Sequence, residues 1–287
     1  MPNIPLVTSF RRALAGEFCQ GTGSNNVAFE EEVVGIAGPH SQRASRPGPC
    51  DYQDQKVTGL NKCSAHTPLQ AFASEHIART APLEDGNVNT RFRRLLTPPD
   101  TRWKFHLSET PDKTPPIVAG KGFVDTESWS HIEVPISLEC GGFGQPFYTN
   151  FVYPFKCDPP KIAPAINYVG CYQHEIRIPA SWAGRRIFLY FEGAGAALHC
   201  WLDGRFVGYS QDSFLPAEFE ITAHVLPKIA AVSSSCHARG AGDLRSGDVE
   251  AEEEASCGCV LSIQCYRFSD GSYLESQDMW WLSGTPA

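Results

Sequence analysis

No apolar stretch in this chain approaches the roughly 18 residues that a membrane-spanning helix requires, and the N-terminus lacks the apolar core of a secretory leader. A membrane partner is therefore not expected. There is no basic stripe with interleaved aromatics, and a formal net charge of −8 opposes a nucleic-acid partner. The chain has no Gly-x-Ser-x-Gly elbow, no His-Glu-x-x-His pair and no Walker loop, which removes three common catalytic signatures. Gly193-Ala194-Gly195 lacks the third glycine of a dinucleotide fingerprint and sits between strand-like runs rather than at a strand-to-helix turn. Eleven cysteines are present, but without paired metal spacing. Cys236-His237 and Cys257-Gly258-Cys259 form the one Cys/His cluster, and with no second Cys-x-x-Cys they read as reduced thiols rather than zinc ligands. His174 and His199 fall on strand-like runs, where packing explains a histidine better than catalysis does.

What is present is strand pattern. Alternation of apolar and polar residues starts at Trp103–Leu107 and recurs at 130–135, 149–155 and 169–178. Residues 186–192 read as a mostly buried strand, and 217–222 and 260–268 complete the set. Leu198–Leu202 and Arg205–Tyr209 flank Asp203-Gly204, a two-residue hairpin signal because glycine tolerates positive φ. Many short strands with almost no helix predict an all-β, antiparallel jelly-roll sandwich. Residues 1–56, rich in Gly, Pro, Ser, Arg and Asn, are expected to form a disordered extension. The sandwich is expected over 57–284, with one short helix at 69–78. Residues 229–258 carry five acids between Asp248 and Glu254 and are expected to be a solvated, inserted loop. Residues 285–287 are read as a truncated tail. The expected location is the cytoplasm, with Arg11 and Arg12 leaving organelle import open.

Two constellations carry chemistry. The stretch 269–286 sets Asp270, Glu275 and Asp278 among Tyr273, Trp280 and Trp281. Carboxylates accept hydrogen bonds from vicinal hydroxyls and aromatic rings cover the apolar face of a pyranose, so the mixture suits a sugar. The competing reading holds the acids on backbone donors and the indoles in a core. The second constellation is Gln145 to Pro154, where Asn150 sits among aromatics at a strand entry. Its amide both donates and accepts, as one sugar hydroxyl needs, but it equally suits a backbone turn.

Laid side by side, these motifs resemble the N-terminal sugar-binding domain of the glycoside hydrolase family 2 β-galactosidases of the large bacterial type. The resemblance rests on Tyr148-Thr149-Asn150, Tyr153-Pro154, Val169-Gly170-Cys171-Tyr172 and Phe191-Glu192-Gly193. It continues through Leu202-Asp203-Gly204-Arg205, Val207-Gly208-Tyr209-Ser210-Gln211-Asp212-Ser213 and Leu215-Pro216-Ala217-Glu218-Phe219. It closes on Phe268 to Glu275, Gln277-Asp278-Met279-Trp280 and Ser283-Gly284. The resemblance implies that Asn150 contacts substrate and that Asp278 contacts substrate and ligates sodium. It implies retaining hydrolysis of β-D-galactosides by two glutamates of a (β/α)₈ barrel with a magnesium site, none of which matches a position here. The chain is therefore expected to be inactive alone and to depend on the barrel-containing remainder of the enzyme, with a homo-oligomer left open for the full-length form. A stand-alone carbohydrate-binding module and an assembly fragment are the alternatives. The chain departs from the family pattern at Ile136-Ser137-Leu138, at Trp281, and in stopping at Thr285-Pro286-Ala287.

Overall fold

The computed structural model describes residues 8–13, 47–48, 50–67, 75–80, 93–97, 100–146, 148, 152–238 and 255–275. The elements in chain order are β1 (Thr8–Ala13), β2 (Gly59–Leu60), α1 (Glu75–Thr80), β3 (Arg93–Leu95), β4 (Arg102–Ser108), β5 (Ile117–Val118), β6 (Gly122–Phe123) and β7 (Ser130–Glu133). They continue with β8 (Val169–Pro179), β9 (Arg186–Phe191), β10 (Ala197–Leu202), β11 (Arg205–Gln211), β12 (Ala217–Glu220), α2 (Thr222–Ala238) and β13 (Ser256–Tyr266). Among the described residues strand outweighs helix, as the sequence pattern predicts, and every strand pair is antiparallel.

The strands form a seven-stranded sheet in the order β2-β11-β10-β13-β8-β4-β7, a four-stranded sheet β12-β9-β1-β3 and the small β5-β6 ribbon. The longest pairing joins β13 to β8 from Ser256↔Pro179 to Tyr266↔Val169. Side chains of a strand alternate faces, and both faces of this sheet are used. Leu198, Cys200, Leu202, Leu261 and Ile263 enter a core shared with Ile187, Leu189 and Phe191 of β9 and Val225 and Ile229 of α2. Ala197, Tyr209, Tyr266, Val169 and Cys171 enter a second core with Tyr52, Val57, Phe155, Ile162 and Phe268.

The Asp203-Gly204 hairpin forms as its composition demands, with φ of 50° and 69° and Leu202 opposite Arg205. Gly204 is required twice over, since a Cβ there would lie 2.0 Å from the Val118 carbonyl oxygen. That close approach lets Gly120 N–H donate to the Asp203 carbonyl at 2.7 Å and docks the β5-β6 ribbon.

Three expectations need correction. The stretch before residue 57 is not uniformly unpacked. Thr8–Ala13 pairs with β9 and β3, and a 3₁₀ turn at Asp51–Gln53 buries Asp51 and Tyr52. The Asp51 carboxylate accepts from Gly48 N–H at 2.6 Å and from His199 Nε2 at 3.0 Å, and Tyr52 stacks on Tyr266 at 5.0 Å. His199 and Tyr266 lie far away in sequence, so composition could not reveal this turn. Next, residues 229–238 are not loop but the second half of α2, because Val225, Ile229 and Val232 recur at helical spacing and pack on the sheet. Pro227, which lacks the N–H a helix interior needs, and the serine run 233–235 concealed this. Residues 239–254 lie outside the described residues. Third, 152–155 form a bend, not a strand, with Val152 exposed and Phe155 buried. The expected short helix appears as α1 at Glu75–Thr80, residues 68–74 lying outside the described residues. Among the described residues no helix is long and apolar enough to cross a membrane.

Ile229 has no exposed surface, so Ile229→Ala should cost about 3 kcal/mol in denaturant unfolding if α2 belongs to the core, and nearly nothing if it were a loop. Burial holds the His199 pKa below its ordinary 6.5, and the Asp51 hydrogen bond only partly opposes this. The unfolded chain therefore takes up a proton that the folded chain refuses. Stability is full above the unfolded-state pKa of roughly 6.5 and falls as pH drops below it. The urea midpoint should decrease between about pH 7.5 and about pH 5.5, with a shallower decrease in His199→Gln.

Candidate functional site

The two residues proposed from sequence, Asn150 and Asp278, lie outside the described residues. Described chain lies on both sides of Asn150 and before Asp278, and the segments 152–155 and 268–275 converge. Past Asn150, the Tyr153 ring lies 5.1 Å from Tyr273, and Phe155 meets Phe268 and Tyr273 edge-on at 5.1 and 5.5 Å. Tyr153 Oη donates to the Tyr273 carbonyl at 3.3 Å. Tyr273 Oη donates to the Lys161 carbonyl at 2.8 Å and accepts from Asp158 N–H at 3.1 Å. The segment that follows Asn150 is thus fastened to the 3₁₀ turn Asp270–Tyr273, which ends five residues before Asp278.

That turn is made by its own sequence. Ser269 N–H donates to Ser272 Oγ at 3.1 Å and Ser272 N–H to the Ser269 carbonyl at 2.9 Å, and Phe268 anchors the approach in the second core. Asp270 and Glu275, read from sequence as hydroxyl acceptors, are used internally. Asp270 Oδ1 accepts from Gln211 Nε2 at 2.5 Å, and Gln211 Oε1 accepts from Tyr209 Oη at 2.9 Å. Burial pushes the Asp270 carboxyl up, against the Gln211 hydrogen bond that pulls it down. Glu275 Oε1 accepts from Ser213 N–H at 3.2 Å. For these two acids the backbone-and-packing reading prevails. Tyr273 likewise serves the frame.

Beside this frame lies a cavity of about 970 Å³ lined by Gln145, Val152, Tyr153, Ile166, Tyr168 and Phe268 among others. Its size falls in the ~300–1,000 Å³ range of small-molecule pockets. Behind the wall, Arg267 Nη1 donates to both Glu139 Oε1 and Tyr168 Oη, and Tyr168 Oη donates to Glu139 at 2.9 Å. The guanidinium stands 4.8 Å over Tyr168 and 5.4 Å over Phe268. Arg267 and Glu139 side chains are only 2% and 1% exposed, so the pair is a true buried ion pair rather than a surface one. Burial pushes the Tyr168 phenol up, the nearby Arg267 charge opposing it. Nothing local marks these residues in the sequence. Glu139 and Arg267 are 128 positions apart, and a lone acid or base in a loop reads as solvated.

Among the described residues no group of three or more His, Cys, Asp or Glu side chains is placed to hold a metal ion. Asp278, the residue put forward for sodium, is not among them.

With this frame in view, the similarity to known proteins is direct. Residues 96–233 match the sugar-binding domain of glycosyl hydrolases family 2. The chain carries a family 2 sugar-binding domain, homologous to part of the bacterial β-galactosidases. The β-galactosidase of Psychromonas ingrahamii is 37% identical over 234 residues, 82% of this chain and 19% of that protein. That of Vibrio cholerae is 36% identical over 234 residues, with the same coverage of 82% and 19%. The chain therefore spans about a fifth of the length of the curated relatives it matches. A solved β-glucuronidase from Faecalibacterium prausnitzii is 20% identical, covering 57% of this chain and 20% of its own at a TM-score of 0.32. That likeness is too loose to bear on the site.

Arg267→Met should destabilise the fold by about 3 kcal/mol or more, because it strands a buried carboxylate. Arg267→Met with Glu139→Leu should recover most of that loss, as read from paired urea unfolding curves.

Proposed function

We propose that this chain supplies the sugar-positioning module of a β-galactosidase and offers Asn150 and Asp278 to the galactose ring. The observation that carries the reading is the 37% identity over 234 residues to a β-galactosidase, in a stretch that spans Tyr148-Thr149-Asn150. The packing of 152–155 against 268–275 supports it, since it fastens together the chain segments next to the two residues. In this reading the two antiparallel sheets are the jelly roll of the family.

An Asn amide gives one hydroxyl both a donor and an acceptor, and the Asp278 carboxylate accepts from a second hydroxyl. Sodium, a hard cation, takes oxygen ligands, so a carboxylate beside sugar hydroxyls is a suitable place for it. Retaining hydrolysis needs two carboxylates about 5–5.5 Å apart. Neither is assigned to this chain. In the proposal both belong to a barrel, with its magnesium, in the remainder of the enzyme. The module contributes orientation and a desolvated wall, which lower the barrier by fixing the ring rather than by bond chemistry.

The 287-residue chain alone should therefore bind galactose weakly, near 1 mM or about 4 kcal/mol, and should not hydrolyse a chromogenic β-galactoside. Calorimetry in sodium buffer should show that binding, and replacing sodium by a bulky organic cation should weaken it. Asn150→Ala and Asp278→Ala should each reduce it about tenfold, roughly 1.4 kcal/mol. Turnover by the chain alone that Asp278→Ala abolishes would overturn the dependence on a barrel. Galactose binding unchanged by either substitution would overturn the site.

A further inference from the structure

Cys257 and Cys259, singled out by their spacing and unused by the proposed sugar site, are brought into one small cluster by the fold. They stand two residues apart on β13 and point to the same face. Both are buried, at 3% and 2% exposure. On one side this part of β13 pairs with β8, Cys257 opposite Ile178 and Cys259 opposite Ile176. On the other side β10 has already ended, its last residue Leu202 lying opposite Leu261. The sheet edge left there is crossed by Lys228 of α2, whose Nζ donates to the carbonyl of Gly258, between the two cysteines, at 2.9 Å. Lys228 is held in place by Asp203 Oδ2 at 2.8 Å, and its side chain is 42% exposed. The thiols face the core shared with Ile176 and Ile178, and among the described residues the strand edge beside them is crossed by this half-exposed cation.

The spacing decides what such a pair can hold. Two residues along an antiparallel strand span about 6.8 Å, at the upper limit of the Cα separation that a disulfide accepts, about 4.4–6.8 Å. A direct sulfur–sulfur bond would pinch a strand whose pairing with β8 is continuous on both sides of the cysteines. One bridging atom with two bonds to sulfur relieves that constraint. We propose that Cys257 and Cys259 form a dithiol site that captures a trivalent arsenical, one arsenic atom bridging the two sulfurs. With phenylarsine oxide, two S–H bonds and the arsenic–oxygen bond break, two As–S bonds form and one water leaves. Arsenic stays trivalent, so no oxidant or reductant enters. The adjacent Cys259 thiol and, to a lesser extent, the Lys228 charge draw the Cys257 thiol downward, against burial, while Cys259 itself is pushed up, so Cys257 is the one to supply the first bond.

The test treats the reduced 287-residue chain with phenylarsine oxide, washes it with a monothiol and maps the adduct by peptide mass spectrometry under native conditions. One arsenical per chain is expected on the peptide that contains both cysteines, resistant to the monothiol wash and released by a dithiol. Exposed Cys50, Cys140 and Cys157 serve as internal controls and should lose any adduct in the wash. Cys257→Ser and Cys259→Ser should each abolish the wash-resistant adduct while leaving the thermal midpoint within a few degrees of the parent. Should either variant fail to fold, the parent chain still decides the matter. An unmodified Cys257–Cys259 peptide, or a wash-resistant adduct elsewhere, overturns the proposal. So does an adduct that survives the loss of one of the two sulfurs.

Discussion

The part of the seven-stranded sheet around residues 169–172 and 263–266 is buried on both faces, and much of the structure follows from that constraint. An antiparallel sheet ordinarily leaves one side to solvent. Here β8 and β13 pair over their full length; Val169 and Cys171 enter one core and Tyr172 and Ile263 the other, while Glu175, Arg177 and Gly258 stay exposed beyond them. The face toward β9 and α2 is closed by the second sheet. The other face can be closed only by chain without regular structure. It is covered by the turn at 51–53, the β5-β6 ribbon, the bend at 152–155 and the turn at 270–273.

Irregular chain over a hydrophobic face must satisfy its own polar groups, and the polar contacts of this fold concentrate there. Asp51 accepts from Gly48 and His199, Gln173 Oε1 from Phe123 N–H and Ser262, and Asn167 exchanges hydrogen bonds with Phe268. Tyr273 joins two loops. These bonds add little net free energy each, about 1 kcal/mol, yet leaving any buried partner unmet costs more. The Arg267–Glu139 pair follows the same logic in charged form. It fixes the wall of the cavity at the cost of desolvation, and so its value is positional more than energetic. The loops that flank Asn150 and Asp278 belong to this fastened layer. The proposed sugar-positioning role and the burial of these loops thereby draw on the same contacts.

Much of the frame was readable along the chain. Period-two alternation placed β4, β8, β11 and β13 to within a few residues, because a half-buried strand imposes it directly. Asp203-Gly204 announced its turn because both residues must take positive φ. Readings that depended on composition fared worse. A serine run and Pro227 masked a helix whose apolar stripe, Val225, Ile229 and Val232, is short and visible only once a sheet lies beneath it. Residues 50–57 look polar, but three of them, Asp51, Tyr52 and Val57, are buried. Tyr148 and Val152 remain exposed beside the motif that carries Asn150, whereas Asp270 and Glu275 turned from candidate ligands into internal acceptors.

The sequence by itself determined the all-β architecture, the hairpin and the family 2 kinship, since alternation, turn chemistry and motif identity are local properties of the chain. Tertiary structure alone decided which polar residues are spent holding the loops, how His199 and Asp51 meet, and that Cys257 and Cys259 share a strand edge with Lys228. Those outcomes depend on partners tens to more than a hundred positions away. Burial, which sets hydrogen-bond obligation and protonation alike, exists only after the sheets have closed.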